Sequence, residues 1–300
     1  MIQVINDGQK FPFSKGILAR SISSTGLSVS EAYKIVWTIR DNLMEEGIRE
    51  ISSGRLKELV VEELSERGYE REAKYYRLRS KLNSIEQPIF CLFGGGTGVG
   101  KTTIGAEIGH RMGINRVIGT DTIREILRGI LPPRLLPTLH TSTFLAMDEL
   151  RTHLVSNRLI YAFEQQVNLV TEGLISVINR GNKEGLSMVL DGVHIVPGLI
   201  KSKMEIPPEN LFEYVIDVPD REKHRKLFYA REEGSKREAE RYLDNFGRIR
   251  DIHRYICDRA EENDVKVIEN LSFSHAVDEI MDDIFSRLEE KEMVEGMPIN

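Results

Sequence analysis

Apolar residues after Pro88 occur in short continuous runs, and longer stretches of mixed apolar and charged residues separate these runs. A short continuous apolar run is typical of a parallel strand that is buried on both faces, whereas the mixed stretches are typical of amphipathic helices. The runs read PIFCLFGG, RVIGTD, LSMVLDGV, FEYVIDVP and VKVIEN. We therefore predict an α/β domain with a doubly wound parallel sheet.

Helices are predicted between and after these strands. They cover residues 101–112, 122–129, 143–179, 221–241 and 274–291. In a sheet of this kind, ligands bind beyond the carboxyl ends of the strands. The residues that directly follow each strand are therefore the first candidates for chemistry.

The first 86 residues have a different pattern. Asp7-Gly8 separates two short β-like runs, which predicts a hairpin. Ser30 is the predicted cap of a long helix and Gly47 its stop. Apolar residues at helical spacing predict helices over residues 14–26, 28–47, 54–68 and 70–82. This segment is therefore predicted to be a small, mostly helical unit.

Composition and charge exclude several classes of protein. The formal net charge of −6 argues against a dedicated nucleic-acid or membrane-surface protein. The longest apolar runs are too short to span a membrane, and the first residues lack the layout of a signal peptide. Cys91 and Cys257 are far apart, which predicts reduced thiols in a cytoplasmic protein. The length of 300 residues allows two unequal domains, which we place at residues 1–86 and 87–300.

A glycine-rich stretch, FGGGTGVGKTT, follows the first predicted strand of the larger domain and opens a predicted helix. It contains the pattern GxxxxGK[ST], and this is the context that the pattern requires. Glycines let backbone N–H groups point inward with no Cβ in the way, so the loop predicts a binding site for the phosphates of ATP. The predicted ATP-binding residues are Gly95, Gly96, Thr97, Gly98, Val99, Gly100, Lys101, Thr102 and Thr103.

Two of these residues have further predicted roles. Lys101 is predicted to be catalytic, because it would reach the β- and γ-phosphates, and Thr102 would bind Mg²⁺ through its hydroxyl. Asp191 ends the strand LSMVLD and is the predicted second Mg²⁺ ligand, unless it only caps a helix or lies in a solvated loop. His194 lies just beyond Asp191 and is predicted to contact the substrate, with a structural role as the alternative.

A second group of polar residues follows the strand RVIGTD. Asp121 is predicted to end this strand, and Arg124 would share a helix face with it. Asp121 can orient or deprotonate a hydroxyl, and Arg124 can bind a carboxylate or phosphate through its guanidinium fork. Arg128 adds a second positive charge one turn later. The alternative is that Asp121 is a helix cap and Arg124 its surface ion-pair partner.

The segment after the fourth predicted strand is dense in basic residues, which suits a lid that closes over phosphates and excludes water. Arg225 or Arg231 is predicted to act on the transferred phosphoryl group as an arginine finger within the same chain. Glutamates are interleaved with these bases, so a solvated charged helix is the alternative.

These motifs together resemble a known family. PFSKGILARSI in the N-terminal unit resembles the ATP-cone domain, and FGGGTGVGKTT, VIGTDTIREILR, LLPTLH and LDGVHIVP then follow in order. The combination is similar to archaeal 2-phosphoglycerate kinases over nearly the whole chain. The resemblance implies a P-loop kinase core with strand order 2-3-1-4-5. It also implies transfer of the ATP γ-phosphoryl group to the 3-hydroxyl of 2-phosphoglycerate, a step in cyclic 2,3-diphosphoglycerate biosynthesis.

Some alternatives stay open. Ile5-Asn6 stand where cones that bind nucleotide usually carry a basic pair, so the N-terminal unit either binds nucleotide or has a structural role in forming a homo-oligomer. The kinase could act on another small hydroxyl acceptor, such as a sugar or a nucleoside. A third hypothesis is a regulator that senses ATP without transferring phosphate, although such a protein would need neither Asp121 nor the basic lid.

Overall fold

The computed structural model describes residues 2–82, 87–150, 155–205, 211–230 and 236–295. The chain separates into two units. The first comprises residues 1–86 together with 110–113, and the second comprises residues 87–109 and 114–300.

The N-terminal unit begins with the predicted hairpin, which is confirmed. Strands β1 (Gln3–Asn6) and β2 (Gln9–Pro12) pair in antiparallel fashion. Asp7 and Gly8 between them have φ values of 48° and 77°, the left-handed conformation that tight hairpin turns need. Strand β3 (Glu50–Ser52), which the sequence pattern did not predict, pairs in parallel with β1.

Helices cover one core in this unit. They are α1 (Lys15–Ser23), α2 (Val29–Glu45), α3 (Ser53–Glu66) and α4 (Glu70–Leu82). The predicted cap Ser30 is wrong, because the side chain of Ser28 accepts the hydrogen bond from the backbone N–H of Glu31 and α2 begins at Val29. The core contains the apolar face of α2, including Ile35 and Val36, which are fully buried.

The larger unit alternates strands and helices, as the sequence predicts. Its first half contains β4 (Phe90–Gly94), α5 (Lys101–Met112), β5 (Val117–Gly119), α6 (Thr120–Ile130) and α7 (Arg158–Lys183). Its second half contains β6 (Met188–Asp191), β7 (Leu211–Asp217), α8 (Arg221–Ala230), α9 (Lys236–Asp244), α10 (Phe246–Glu262), β8 (Lys266–Glu269) and α11 (Phe273–Glu295). Short 3₁₀ helices form at Pro137–His140, Thr143–Glu149 and Lys201–Lys203.

The described residues of this unit form a five-stranded sheet in the order β5-β6-β4-β7-β8. The four strand pairings of this sheet are all parallel, so the predicted parallel sheet is confirmed. Counted along the unit, the order is 2-3-1-4-5, which is the order that the family resemblance implies. The chain crosses to the other side of β4 after β6, so the carboxyl ends of β4 and β6 border the crevice where ligands bind in such sheets.

The helices of the larger unit differ from the prediction in two places, the segment 143–179 and the region of α10. The segment 143–179 is a 3₁₀ helix followed by α7, which begins after Asn157, whose side chain accepts from the N–H of Ile160. The predicted helix over 221–241 coincides with α8 and most of α9, and residues 231–235 between them lie outside the described residues. Helix α10 was not predicted, although Ile249, Ile252 and Ile256 have helical spacing and are buried.

Candidate active site

The glycine loop joins β4 to α5, at the carboxyl end of the central strand. Gly95, Gly98 and Gly100 have φ values of 132°, 86° and 95°, which side chains with a Cβ rarely adopt. A Cβ at Gly98 would lie 2.5 Å from the ring of Phe228, and one at Gly95 would lie 2.6 Å from the carbonyl oxygen of Ile216. The loop therefore needs glycine both for its backbone conformation and for its close packing.

Three side chains from distant parts of the chain hold the backbone of this loop. The N–H of Gly96 donates to Nδ1 of His253 at 3.0 Å. Nε2 of His224 donates to the carbonyl oxygen of Thr97 at 2.8 Å, and Nδ2 of Asn270 donates to that of Val99 at 3.0 Å. Burial lowers the pKa of His224 to about 4, so this histidine is neutral at physiological pH.

None of these three contacts was predicted. Asn270 directly follows β8, so the rule that ligands and their supports lie at carboxyl ends of strands could have identified it. His224 lies in the segment interpreted as a basic lid, and His253 lies in the helix that was not predicted. The roles of these two histidines depend on tertiary contacts that no local pattern reveals.

The reactive side chains of the loop lie at the start of α5. Lys101 is buried, and its Nζ donates to the carbonyl oxygen of Gly96 at 2.5 Å. The hydroxyl of Thr102 donates to Oδ2 of Asp191 at 2.6 Å. Asp191 is the last residue of β6, as predicted. A hydroxyl and a carboxylate are oxygen donors of the kind that Mg²⁺ prefers, so this pair fits the predicted metal site.

A cavity of about 530 Å³ opens in front of these side chains. The predicted residues that line it are Thr97, Gly98, Gly100, Lys101, Thr102, Thr103, Asp121, Arg124 and Asp191. The remaining residues of its walls are Val117, Gly119, Thr120, Ser142, Thr143, Phe144, Gly192, Val193, Leu227 and Tyr242. The structure thus brings the glycine loop, the Thr102–Asp191 pair and the Asp121–Arg124 pair to one cavity.

The Asp121–Arg124 pair lies in α6, and the predicted position of Asp121 at a strand end is wrong. Strand β5 ends at Gly119, and Asp121 lies in the first turn of the helix with 73% of its side chain exposed. The side chain of Arg124 is only 15% exposed, and one of its terminal nitrogens lies 3.5 Å from Asp121 and 3.8 Å from Glu125. Nε of Arg124 is buried and has no hydrogen-bond partner among the described residues. A half-paired guanidinium at a cavity wall is suited to bind an anion.

Arg128 and His194 do not line the cavity. Arg128 donates to Glu125 at 2.6 Å. His194 is fully buried, and its Nδ1 lies 3.0 Å from the hydroxyl of Thr120 while its Nε2 lies 3.4 Å from Oε1 of Gln166. Burial lowers the pKa of His194 to about 3, although the charge of Asp121 opposes this shift. The structure thus gives no support to the predicted substrate contact of His194, whose ring instead contacts Thr120 in the cavity wall.

The basic lid segment is only partly described. Arg225 pairs with Glu222 at 3.5 Å, and its guanidinium lies 5.0 Å from the ring of Phe246 rather than in the cavity wall. Arg231 lies outside the described residues. Leu227 and Tyr242 reach the cavity from α8 and α9, and Arg241 donates to the hydroxyl of Ser142 at 2.9 Å. In this structure the predicted catalytic role of Arg225 has no contact to support it.

The sheet order, the glycine loop at the central strand and the Thr102–Asp191 pair define a P-loop kinase. Residues 2–85 match the family model of the ATP cone domain. A 2-phosphoglycerate kinase of Pyrococcus furiosus is 42% identical over 289 residues, which cover 96% of this chain and 94% of the relative. The 2-phosphoglycerate kinase of Methanopyrus kandleri is 41% identical, and the alignment covers 96% of this chain and 88% of the relative. That of Methanocaldococcus jannaschii is 38% identical, and the alignment covers 96% of this chain and 92% of the relative. The chain belongs to the 2-phosphoglycerate kinase family.

Two solved structures are distant neighbours. A gluconokinase from Sinorhizobium meliloti is 14% identical with a TM-score of 0.40, covering 71% of this chain and 99% of its own. A shikimate kinase from Acinetobacter baumannii, in complex with shikimate, is 13% identical with a TM-score of 0.42, covering 70% of this chain and 98% of its own. Among the described residues, no helix has the length and apolar character that a membrane span requires.

Proposed function

We propose that this protein transfers the γ-phosphoryl group of ATP to the 3-hydroxyl of 2-phosphoglycerate and gives 2,3-bisphosphoglycerate and ADP. In this reaction a new O–P bond forms at the acceptor hydroxyl, the bond between the γ-phosphorus and the β–γ bridging oxygen breaks, and the hydroxyl proton is released. The observation that carries the proposal is that one cavity is lined by the glycine loop with Lys101, by the Thr102–Asp191 pair and by Arg124.

The nucleotide side of the cavity has the groups that phosphoryl transfer requires. Backbone N–H groups of the loop and the N-terminus of α5 favour the phosphates of ATP, and Lys101 adds a positive charge beside them. Thr102 and Asp191 would hold Mg²⁺. The ion would neutralise charge that develops on the β- and γ-phosphate oxygens. Lys101 is only 8% exposed, so its charge is poorly screened by water and acts strongly on a nearby phosphate.

The acceptor side of the cavity suits a small anionic alcohol. Arg124 would bind the carboxylate or phosphate of 2-phosphoglycerate through its guanidinium fork, because its ion pairs with Asp121 and Glu125 are long, at 3.5 and 3.8 Å, and its Nε has no hydrogen-bond partner among the described residues. Asp121 would orient the 3-hydroxyl and accept its proton. A neutral sugar or nucleoside would offer no anion to the buried Nε of Arg124, which favours 2-phosphoglycerate over those acceptors.

The role of the N-terminal unit is a separate proposal. We place the transfer reaction in residues 87–300, and we assign residues 1–86 either a second nucleotide site or an assembly role. Calorimetric titration of ATP into Lys101→Met protein distinguishes a second nucleotide site from an assembly role, because a second site would still bind ATP when the P-loop site is weakened. Light scattering with and without ATP then reports the oligomeric state.

The experiment that tests the main proposal is an assay of ADP release with purified protein, ATP and Mg²⁺. The acceptors are 2-phosphoglycerate, 3-phosphoglycerate, glycerate, a sugar and a nucleoside, with water as the blank. We expect 2-phosphoglycerate to give the highest kcat/KM by a wide margin. ADP release at the same rate with every acceptor, or only with a sugar or nucleoside, would contradict the proposal, and Lys101→Met is the control for contaminating kinases.

A further inference from the structure

A group of titratable side chains lies behind the P-loop and outside the cavity described above. His253, in α10, is 2% exposed. Its Nε2 lies 2.6 Å from Oδ1 of Asp217, the last residue of β7, and 3.8 Å from the sulfur of Cys257 one turn later in the helix. Its Nδ1 accepts the N–H of Gly96 at 3.0 Å. The ring therefore connects the end of one strand to the backbone of the loop.

The hydrogen bonds determine which ring nitrogen of His253 carries the proton. A backbone N–H can only donate, so Nδ1 must present its lone pair to Gly96. The proton of the neutral ring is then on Nε2, from which it is donated to Asp217. Burial alone would raise the pKa of Asp217, but the hydrogen bond from His253 and the charge of Arg250 lower it below its ordinary value. Asp217 is therefore ionised at neutral pH, and an ionised carboxylate can only accept.

A resident metal ion is a poorer explanation of the same cluster. The oxygen of Asp217, Nε2 of His253 and the sulfur of Cys257 lie within 4.8 Å of one another, which is a spacing that metal ligands also show. A metal ion would take the lone pair of Nε2, and the neutral ring would then carry its proton on Nδ1. That proton would face the N–H of Gly96, so the contact with the loop would be lost. Burial also raises the pKa of Cys257 to about 12, which disfavours the thiolate that a metal needs.

We propose that Asp217 and His253 are positioning residues, which hold the P-loop in its phosphate-binding conformation by keeping a lone pair on Nδ1 of His253 directed at the N–H of Gly96. The inference rests on the proposed binding of ATP at the P-loop, and it does not depend on the identity of the acceptor. Neither residue touches the substrate; both act through the loop backbone.

Gly96 is the residue through which the pair acts on the reaction. Its carbonyl oxygen accepts from Nζ of Lys101, while its N–H is held by His253. A Cβ at Gly96 would lie 2.7 Å from the Cβ of His253, so the helix and the loop approach each other closely at this point. Loss of the acceptor on His253 would leave a buried N–H without a partner and would loosen Gly96, whose carbonyl oxygen, in the next peptide unit, contacts Lys101. Binding of the ATP phosphates should therefore weaken.

Replacement of His253 by residues of different hydrogen-bonding capacity tests the proposal. His253→Phe fills the volume without an acceptor, whereas His253→Asn can place its Oδ1 near the position of Nδ1 and keep the contact with Gly96. We expect His253→Phe to raise the Kd of ATP, measured by calorimetry, about tenfold, as for a buried N–H that loses its partner. His253→Asn should recover most of that loss, and the KM of the acceptor should stay unchanged in both variants.

Two further variants accompany those of His253. Asp217→Asn tests the carboxylate, and His275→Asn is the control. Asp217→Asn removes the carboxylate that fixes the tautomer, so it should weaken ATP binding less than His253→Phe but in the same direction. His275 is an exposed histidine near the start of α11, and its replacement should change nothing. Thermal unfolding of each variant shows whether the fold is retained. If His253→Phe does not fold, the Kd values of ATP for His253→Asn and Asp217→Asn still test the proposal.

Several results would overturn the inference. One is an unchanged Kd of ATP in folded His253→Phe. Another is an equal loss in His253→Phe and His253→Asn, because then the acceptor atom would not matter. A third is a rise in the KM of the acceptor alone. Calorimetry with ATP needs no acceptor, so if the wild-type protein binds ATP but does not phosphorylate 2-phosphoglycerate, the proposed function fails while this inference stands.

Discussion

The hydroxyl of Thr102 and the carboxylate of Asp191 form a 2.6 Å hydrogen bond between the start of α5 and the end of β6. The two strands that lead to them are neighbours, and Phe93 of β4 is paired with Asp191 in the register of the sheet. The pairing of β4 with β6 and the conformation of the glycine loop therefore bring the two oxygen donors together. A site on paired strands is more rigid than one built on loops alone.

Asp191→Asn tests whether this pair holds Mg²⁺. An amide keeps one oxygen donor but loses the charge, so the Mg²⁺ concentration for half-maximal rate should rise on the order of tenfold or more. The measurement is the initial rate as a function of Mg²⁺ at fixed ATP. Asp251→Asn is the matched control, because Asp251 is an exposed residue of α10. An unchanged Mg²⁺ dependence in Asp191→Asn would contradict the assignment.

Lys101→Met removes the charge of the loop lysine and keeps most of its aliphatic length. Loss of an electrostatic contact in the transition state should lower kcat about a hundredfold, or about 3 kcal/mol. Because the variant retains the apolar part of the side chain, its thermal unfolding should resemble that of the wild type. A folded Lys101→Met protein with wild-type turnover would show that the loop is not the site of transfer.

The glycine loop and Asp191 could be predicted because their signals are local. The loop is defined by glycine spacing and a lysine within eight residues, and Asp191 closes an apolar run. His253 and Asn270 could not be predicted in the same way. Each donates to or accepts from a loop more than 150 residues away in the chain, as the separations of 157 and 171 residues show.

The position of Asp121 was predicted less well for a related reason. Strand β5 has only three residues, and α6 begins directly after it with Gly119 as the cap and no side-chain hydrogen bond at that position. The usual start signal of a helix, a Ser, Thr, Asp or Asn whose side chain caps the first turn, is therefore missing at the boundary. The boundary in this segment depends on tertiary packing, and the sequence pattern extended the strand by two residues.

Arg124→Lys tests the acceptor site. Lysine keeps the charge but loses the bidentate fork, so the KM for 2-phosphoglycerate should rise about tenfold while that for ATP stays nearly constant. Arg128→Lys is the matched control one helical turn away, since Arg128 pairs with Glu125 and does not line the cavity. If Arg124→Lys raises the KM for ATP instead, Arg124 belongs to the nucleotide site. If Arg128→Lys gives the larger effect, the acceptor lies elsewhere.

Glu213 provides a test of stability that is independent of the active site. It lies in β7 with 9% exposure, its Oε1 has no hydrogen-bond partner among the described residues, and burial raises its pKa to about 7 although Lys201 partly opposes this. The folded state holds the proton more tightly than the unfolded state. Stability is therefore lost as the pH rises from about 4.5 through about 7. Above that range the folded protein bears the full free-energy cost of an ionised, buried carboxylate.

Glu213→Gln should remove the free-energy cost of ionising this buried carboxyl. At pH 8 the free energy of unfolding should increase by about 3 kcal/mol, and the gain should disappear near pH 4, where the wild-type carboxyl is also neutral. Urea unfolding at several pH values measures this change in the free energy of unfolding. Glu222→Gln, at a side chain that is 73% exposed, controls for the loss of a surface charge. A gain that is independent of pH would mean that Glu213 does not titrate in this way.

The most direct test of the proposed reaction is the structure of its product. Wild-type protein, ATP, Mg²⁺ and 2-phosphoglycerate are incubated, and the mixture is followed by ³¹P nuclear magnetic resonance. Transfer to the 3-hydroxyl predicts two phosphomonoester signals of equal intensity that grow together with those of ADP, without phosphorus–phosphorus coupling in the new product. A coupled pair of product signals, an acyl phosphate signal, or inorganic phosphate alone would contradict phosphorylation of the hydroxyl.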